Sequence, residues 1–138
     1  LSEGTTGVGT SWIFSDVVPV NGGSGVIEGA FVMSETTAII PVLTLFLFNA
    51  VPTSELDDND ANTAPLHADI AKNVGQVFFE AMRDLGTGDS VAVPYKNLPL
   101  PFVCASADND LYGVLVTETA FTQGAGDDMT AFLLVRPD

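Results

Sequence analysis

Short apolar stretches that put oily side chains on both faces of a strand set the tightest limit on what this chain can fold into. Residues 26–33, 37–48, 74–82, 90–93, 101–105, 111–118 and 129–135 are apolar-rich and strand-like. Turn chemistry separates them, at Gly86-Thr87-Gly88-Asp89, at Ala107-Asp108-Asn109-Asp110 and along residues 123–128. With part of residues 10–20 added, the count reaches about eight, the number of a jelly roll. Side chains alternate across a strand, so Phe132 and Leu134 fall on one face and Met129, Ala131, Leu133 and Val135 on the other. Leu43, Leu45 and Leu47 likewise oppose Thr44, Phe46 and Phe48. A sandwich with one face in water should alternate more cleanly than this.

Two coverings for the second faces remain open. Long loops such as residues 52–65 can fold back over a sheet, or subunits can bury these faces against each other. Large apolar patches usually mark interaction sites, which favours the second. The one helix the pattern predicts lies over residues 64–73, with Pro65 suited to its first turn. At 138 residues the chain is one domain. The reading is an all-β, jelly-roll-like antiparallel β-sandwich over residues 26–138. Residues 1–25 form a glycine-rich N-terminal arm or a first strand.

Charge narrows the partners. Eighteen acids face only Lys72, Arg83, Lys96 and Arg136, a net charge of −14. A nucleic-acid binder needs cations to displace phosphate counterions, so nucleic acid is excluded as a partner. Such a balance suits an outward-facing surface that repels polyanions, or a salty medium. The longest apolar run, residues 38–48, is broken by Pro41 and Thr44 and falls short of the roughly 20 residues a membrane helix needs. No membrane partner is expected, and the polar, glycine-rich start does not read as a secretory signal.

Catalytic signals are weak. The single histidine, His67, has Asp69 only two positions away, on a different helical face. The single cysteine, Cys104, sits in an apolar stretch and reads as a buried, inert thiol. No nucleophile-elbow, Walker or dinucleotide motif occurs. The reading is a non-enzyme without a cofactor. One loop raises a calcium question, because Asp58, Asp60 and Asn62 place oxygen ligands at alternate positions. An EF-hand is excluded: Thr63 stands where its glycine belongs, and Pro65 intrudes.

Three stretches carry a resemblance: Leu43-Thr44-Leu45-Phe46-Leu47-Phe48-Asn49-Ala50-Val51-Pro52-Thr53, Asp69-Ile70-Ala71-Lys72-Asn73-Val74-Gly75 and Leu111-Tyr112-Gly113-Val114-Leu115-Val116-Thr117, with the turn Ala120-Phe121-Thr122 after them. They resemble the small head decoration, or cement, proteins of tailed phages. In that group a strand ending in F-x-A-x-P-T precedes an acidic loop, a D-x-A-K-x-x-G segment and a late L-Y-G-x-L-V-T strand. The resemblance runs over residues 37–135. It implies a jelly-roll-like sandwich, a homotrimer, a place on the outer capsid surface of the virion with the major capsid protein as partner, and no enzymatic activity.

Self or capsid contact is expected from Leu45, Phe46, Leu47 and Phe48 in the doubly apolar strand. Trp12, Ile13 and Phe14 are the apolar anchors of the arm, unless they form an ordinary first strand. The rival function on the same architecture is a carbohydrate- or receptor-binding module on a virion. A cupin-like enzyme is disfavoured because its metal needs a histidine cluster and this chain has one histidine.

Overall fold

β-branched and aromatic residues in period two, cut by glycine and aspartate turns, give a sandwich of antiparallel strands. A computed structural model describes residues 11–54, 62–84, 86 and 89–138. Among these, ten strands form: β1 (Trp12–Phe14), β2 (Ser24–Ser34), β3 (Leu43–Phe48), β4 (Asn73–Phe79), β5 (Arg83–Asp84), β6 (Ser90–Ala92), β7 (Pro94–Lys96), β8 (Leu100–Val103), β9 (Leu111–Thr117) and β10 (Met129–Pro137). One sheet runs β1-β9-β3-β4-β7, the other β10-β2-β6-β5, and β8 pairs with the first half of β2. Pairing is nested, β2 with β10 and β3 with β9, as in a long hairpin rolled up on itself.

The core lies between the sheets. Leu43, Leu45, Leu47, Val77, Phe79, Leu111 and Leu115 point inward from the β3 sheet, and Ile27, Ala30, Val32, Ala92 and Phe102 meet them from the β2 sheet. Burying each large side chain contributes about 1.5–3 kcal/mol against chain entropy. Two glycines of the quoted stretches are fixed by this packing. A Cβ on Gly113 would stand 2.9 Å from the Phe14 ring and 3.1 Å from a Leu45 methyl. Gly75 has φ +148°, and its Cβ would stand 2.9 Å from a Leu100 methyl.

The outer face of the β3 sheet is covered in part by the chain itself, around Phe48 and Val114. Phe48 and Val114 pack with Ala64, and Phe46, Tyr112 and Val116 join them. Ala64 belongs to the excursion between β3 and β4. The neck of that excursion is closed by the Asn49 amide donating to the Lys72 carbonyl at 2.9 Å. Leu45, Leu47 and Phe48 are fully buried, and Phe46 is half-buried. Of the residues expected at a self or capsid interface, Leu45, Leu47 and Phe48 are thus buried within the chain itself, and the excursion that carries Ala64 packs over Phe48.

Three further expectations change. The strand over residues 37–48 shortens to Leu43–Phe48, because Ala38 takes a left-handed φ of 58° and breaks the extended run before Pro41. The helix over residues 64–73 contracts to a single 3₁₀ turn, His67–Asp69, closed by the Ile70 amide donating to the His67 carbonyl at 3.2 Å. Trp12–Phe14 forms an edge strand with Trp12 opposite Gly113 and Ile13 opposite Tyr112, so this part of the proposed arm is built into the sandwich. Residues 1–10 lie outside the described residues.

Candidate functional site

On the β2 sheet the outer face is not covered by any described segment. β10 turns Thr130, Phe132, Leu134 and Arg136 outward, and keeps Met129, Ala131, Leu133 and Val135 against the core, as the alternation predicts. β2 contributes Phe31 and Met33 beside them. Phe31 lies directly opposite Phe132, and their rings stack with centroids 4.4 Å apart and planes 13° from parallel. Phe31 is 39% exposed, Met33 37%, Phe132 44% and Leu134 64%. Val103 extends the apolar surface along β8.

A register shift decides this face. Leu134 pairs with Gly29 and Val135 with Ile27, so Glu28 is the extra residue of a β-bulge. The bulge reverses the inward parity of β2, from Gly25 and Ile27 before it to Ala30, Val32 and Ser34 after it. Phe31 and Met33 are thereby turned to the outside. Glu28 itself reaches Arg136 across the pair at 2.6 Å. It is the only carboxylate that β2, β6, β8 and β10 direct outward in their described residues, and Arg136 neutralises it. Phe31, Met33, Phe132 and Leu134 form an uncharged centre to this face, bordered by the Glu28–Arg136 pair, by Asp138, which accepts from the Ser24 hydroxyl, and by Arg83 of β5 opposite Val91.

The titratable residues elsewhere serve the fold. Asp69 is fully buried. It accepts hydrogen bonds from the Thr53 amide at 2.8 Å, the Thr53 hydroxyl at 3.1 Å and the Lys72 ammonium at 3.1 Å. Burial pushes its carboxyl upward, but the Thr53 and Lys72 donors outweigh that and hold it below its ordinary value. Lys72 also donates to the Val51 carbonyl at 2.9 Å. This staple joins two of the quoted stretches and pins the loop that covers Phe48. His67 stays exposed, and the inward-turned Asp69 is committed to Thr53 and Lys72.

At the other sequence landmarks the chemistry is equally quiet. Tyr112 donates to Asp108 at 2.7 Å, which, with burial, pushes its phenol up to about 12 and holds the Asp108 carboxyl below its usual range. Cys104 is buried, and burial first, then Asp108 and Asp110, push its thiol up, away from the reactive thiolate. Asp58 and Asp60 of the calcium question lie outside the described residues. Asn62 uses both ends of its amide on the Ala64 backbone, at 2.8 and 2.9 Å. Among the described residues, no cluster of three or more metal-ligating side chains of the His, Cys, Asp and Glu types occurs, and no helix is long and apolar enough to cross a membrane.

Sequence reasoning placed Phe132 and Leu134 on one face but missed Phe31 and Met33. Strict alternation through residues 24–34 carries no sign of the bulge, apart from the Glu28-Gly29 pair that interrupts the apolar run. The Asp69 staple was likewise missed, since a D-x-A-K spacing does not disclose a partner sixteen residues earlier. No family model matches this chain, and no curated protein or solved structure matches it either.

Proposed function

We propose that this chain is a non-enzymatic structural protein that docks through the outer face of its β2 sheet. In this reading it is a decoration protein on the outer capsid surface of a tailed phage, with the major capsid protein as its partner. The supporting observation is the exposed apolar cluster of Phe31, Met33, Phe132 and Leu134 on an otherwise strongly acidic chain. The resemblance of residues 37–135 to head decoration proteins supplies the partner.

Magnitudes favour attachment in many copies. The four side chains leave on the order of 350 Å² open, worth ~9 kcal/mol of gross burial at about 25 cal/mol per Å². Association costs about 4–15 kcal/mol, so one such face holds a single copy weakly. A protein that binds the assembled shell and not its free subunits still stabilises the shell by mass action. Acidic surfaces elsewhere would keep decorated heads apart.

The test uses heads stripped of this chain and recombined with purified protein. Wild-type protein should bind in many copies and raise the temperature at which heads release DNA. The variant Phe132→Glu/Leu134→Glu should bind far less, while Val20→Glu, at an exposed loop position, should bind like wild type. Equal binding by the two variants, or heads equally robust with and without the protein, would overturn the reading.

A second reading has one observation behind it. The stacked Phe31 and Phe132 rings form an aromatic platform of the kind that sugar-binding modules present. Its neighbours on the face, Met33 and Leu134, offer no hydroxyl-matching donors. Binding of the isolated chain on a glycan array, lost in Phe132→Ala, would favour this carbohydrate-binding alternative.

A further inference from the structure

Sulfur is scarce in this chain, and the fold sorts it. The four sulfur atoms belong to Met33, Met82, Met129 and Cys104. Met82 and Cys104 are buried in the core. Met129 opens β10 half-buried, with its side chain packed against that core. Met33 is the methionine left exposed, and it stands among the apolar side chains on the outer face of the β2 sheet.

Its place there follows from the pairing. Met33 lies opposite Thr130 of β10 on one side and Val91 of β6 on the other, so it occupies an interior strand of the sheet. Neither cross-strand neighbour carries a charge. The Glu28 bulge turns Met33 outward together with Phe31, and the next outward pair along β2 is the Phe31–Phe132 stack. A thioether has no proton to lose, so access rather than pKa sets its reactivity. The exposed position therefore separates Met33 from the other three sulfurs.

We infer that Met33 is a peroxide-sensitive modification site whose sulfoxide turns the centre of this face polar. The Met33 Sδ lone pair attacks one oxygen of hydrogen peroxide. The O–O bond breaks, an S–O bond forms, and the second oxygen leaves as water with both protons. Sulfur gives up two electrons and the peroxide takes them. The product keeps the length of the side chain but adds a strong hydrogen-bond acceptor beside the Phe31–Phe132 stack. Met33 points away from the core, so the fold survives the change, and reduction of the sulfoxide restores the face.

The consequence for binding rests on the docking reading above, whereas the modification does not. An apolar partner surface cannot satisfy the new acceptor, and burying it unpaired weakens the contact.

The full folded chain is treated with graded hydrogen peroxide, and oxidation is located by peptide mass mapping. Met33 should gain an oxygen several-fold faster than Met82 or Met129, and in denaturing urea the three should react alike. Oxidised wild type should elute earlier from a hydrophobic-interaction column, with an unchanged far-UV circular dichroism spectrum. Met33→Leu, which conserves volume and apolarity, should elute at the same position before and after peroxide. Met82 or Met129 reacting as fast as Met33 in the folded chain, oxidised and untreated wild type eluting together, or Met33→Leu shifting as wild type does would each overturn the inference. On stripped heads, oxidised wild type should bind about tenfold more weakly than untreated, and peroxide should leave binding of Met33→Leu unchanged. Mapping and retention are read on the free protein, so they decide the site even where untreated protein fails to bind heads, a failure that falls on the capsid reading alone.

Discussion

Asp69→Ala tests what holds the cover over β3. The carboxylate is fully buried and receives three donors within 3.1 Å: the Thr53 amide, the Thr53 hydroxyl and the Lys72 ammonium. Hydrogen bonds to a charged group contribute about 1.5–3 kcal/mol each, but they are not additive, and the stranded Thr53 amide recovers some solvation. The Lys72 side chain is 32% exposed, so its share is screened by water. Together these give an expected loss of about 3–5 kcal/mol. For a chain of this length that corresponds to roughly 10–15 °C in Tm.

The pH dependence gives the test its sign. The folded-state carboxyl sits below its ordinary value of 3.8, so its stabilisation is fully present above that value and is lost as pH falls through the lower folded pKa. Thermal melts of wild type and Asp69→Ala should differ most near neutral pH and converge in acid. Amide exchange should show Thr53 protected in wild type and fast in the variant, with the loop over Phe48 opening first. A variant that melts like wild type at pH 7, or a difference unchanged in acid, would refute the ionised staple.

Gly75→Ala should lose about 2 kcal/mol in urea unfolding, because φ +148° is glycine territory and a Leu100 methyl lies 2.9 Å from the new Cβ. Leu45→Ala, at a fully buried position, should lose about 3 kcal/mol. Leu134→Ser should lose under ~0.5 kcal/mol in dilute solution, which separates core from open face by the same unfolding assay. Tyr112, its phenol pushed up to about 12, should ionise well above a free tyrosine in a difference spectrum between wild type and Tyr112→Phe. Its stabilisation is complete below pH ~10 and fades as pH rises through the folded value.

Alternation made much of the fold legible. Residues 129–135 announced both faces of β10 correctly, and Leu43, Leu45 and Leu47 do oppose Phe46 and Phe48. The turn clusters at residues 107–110 and 123–128 fall between strands as expected. Less legible were β5 and β7, since two or three residues are too few to show a period. Which segment packs over β3 was not legible for a different reason. Ala64 packs on its outer face against Phe48, and belongs to a loop whose anchor, Asp69, must find Thr53 through space.

What the sequence determined by itself is therefore local: strand identity, turn positions, an acidic exterior and the absence of catalytic motifs. These follow from side-chain period and backbone preference over a few residues. Which apolar face stays open was decided only in three dimensions. The Glu28 bulge appears when β2 is laid against β10, over a hundred residues away by Arg136, and the Asp69 staple appears when a loop closes on itself. Both depend on contacts distant in the chain, and a period-two pattern contains no term for the partner that shifts its phase or shields its back.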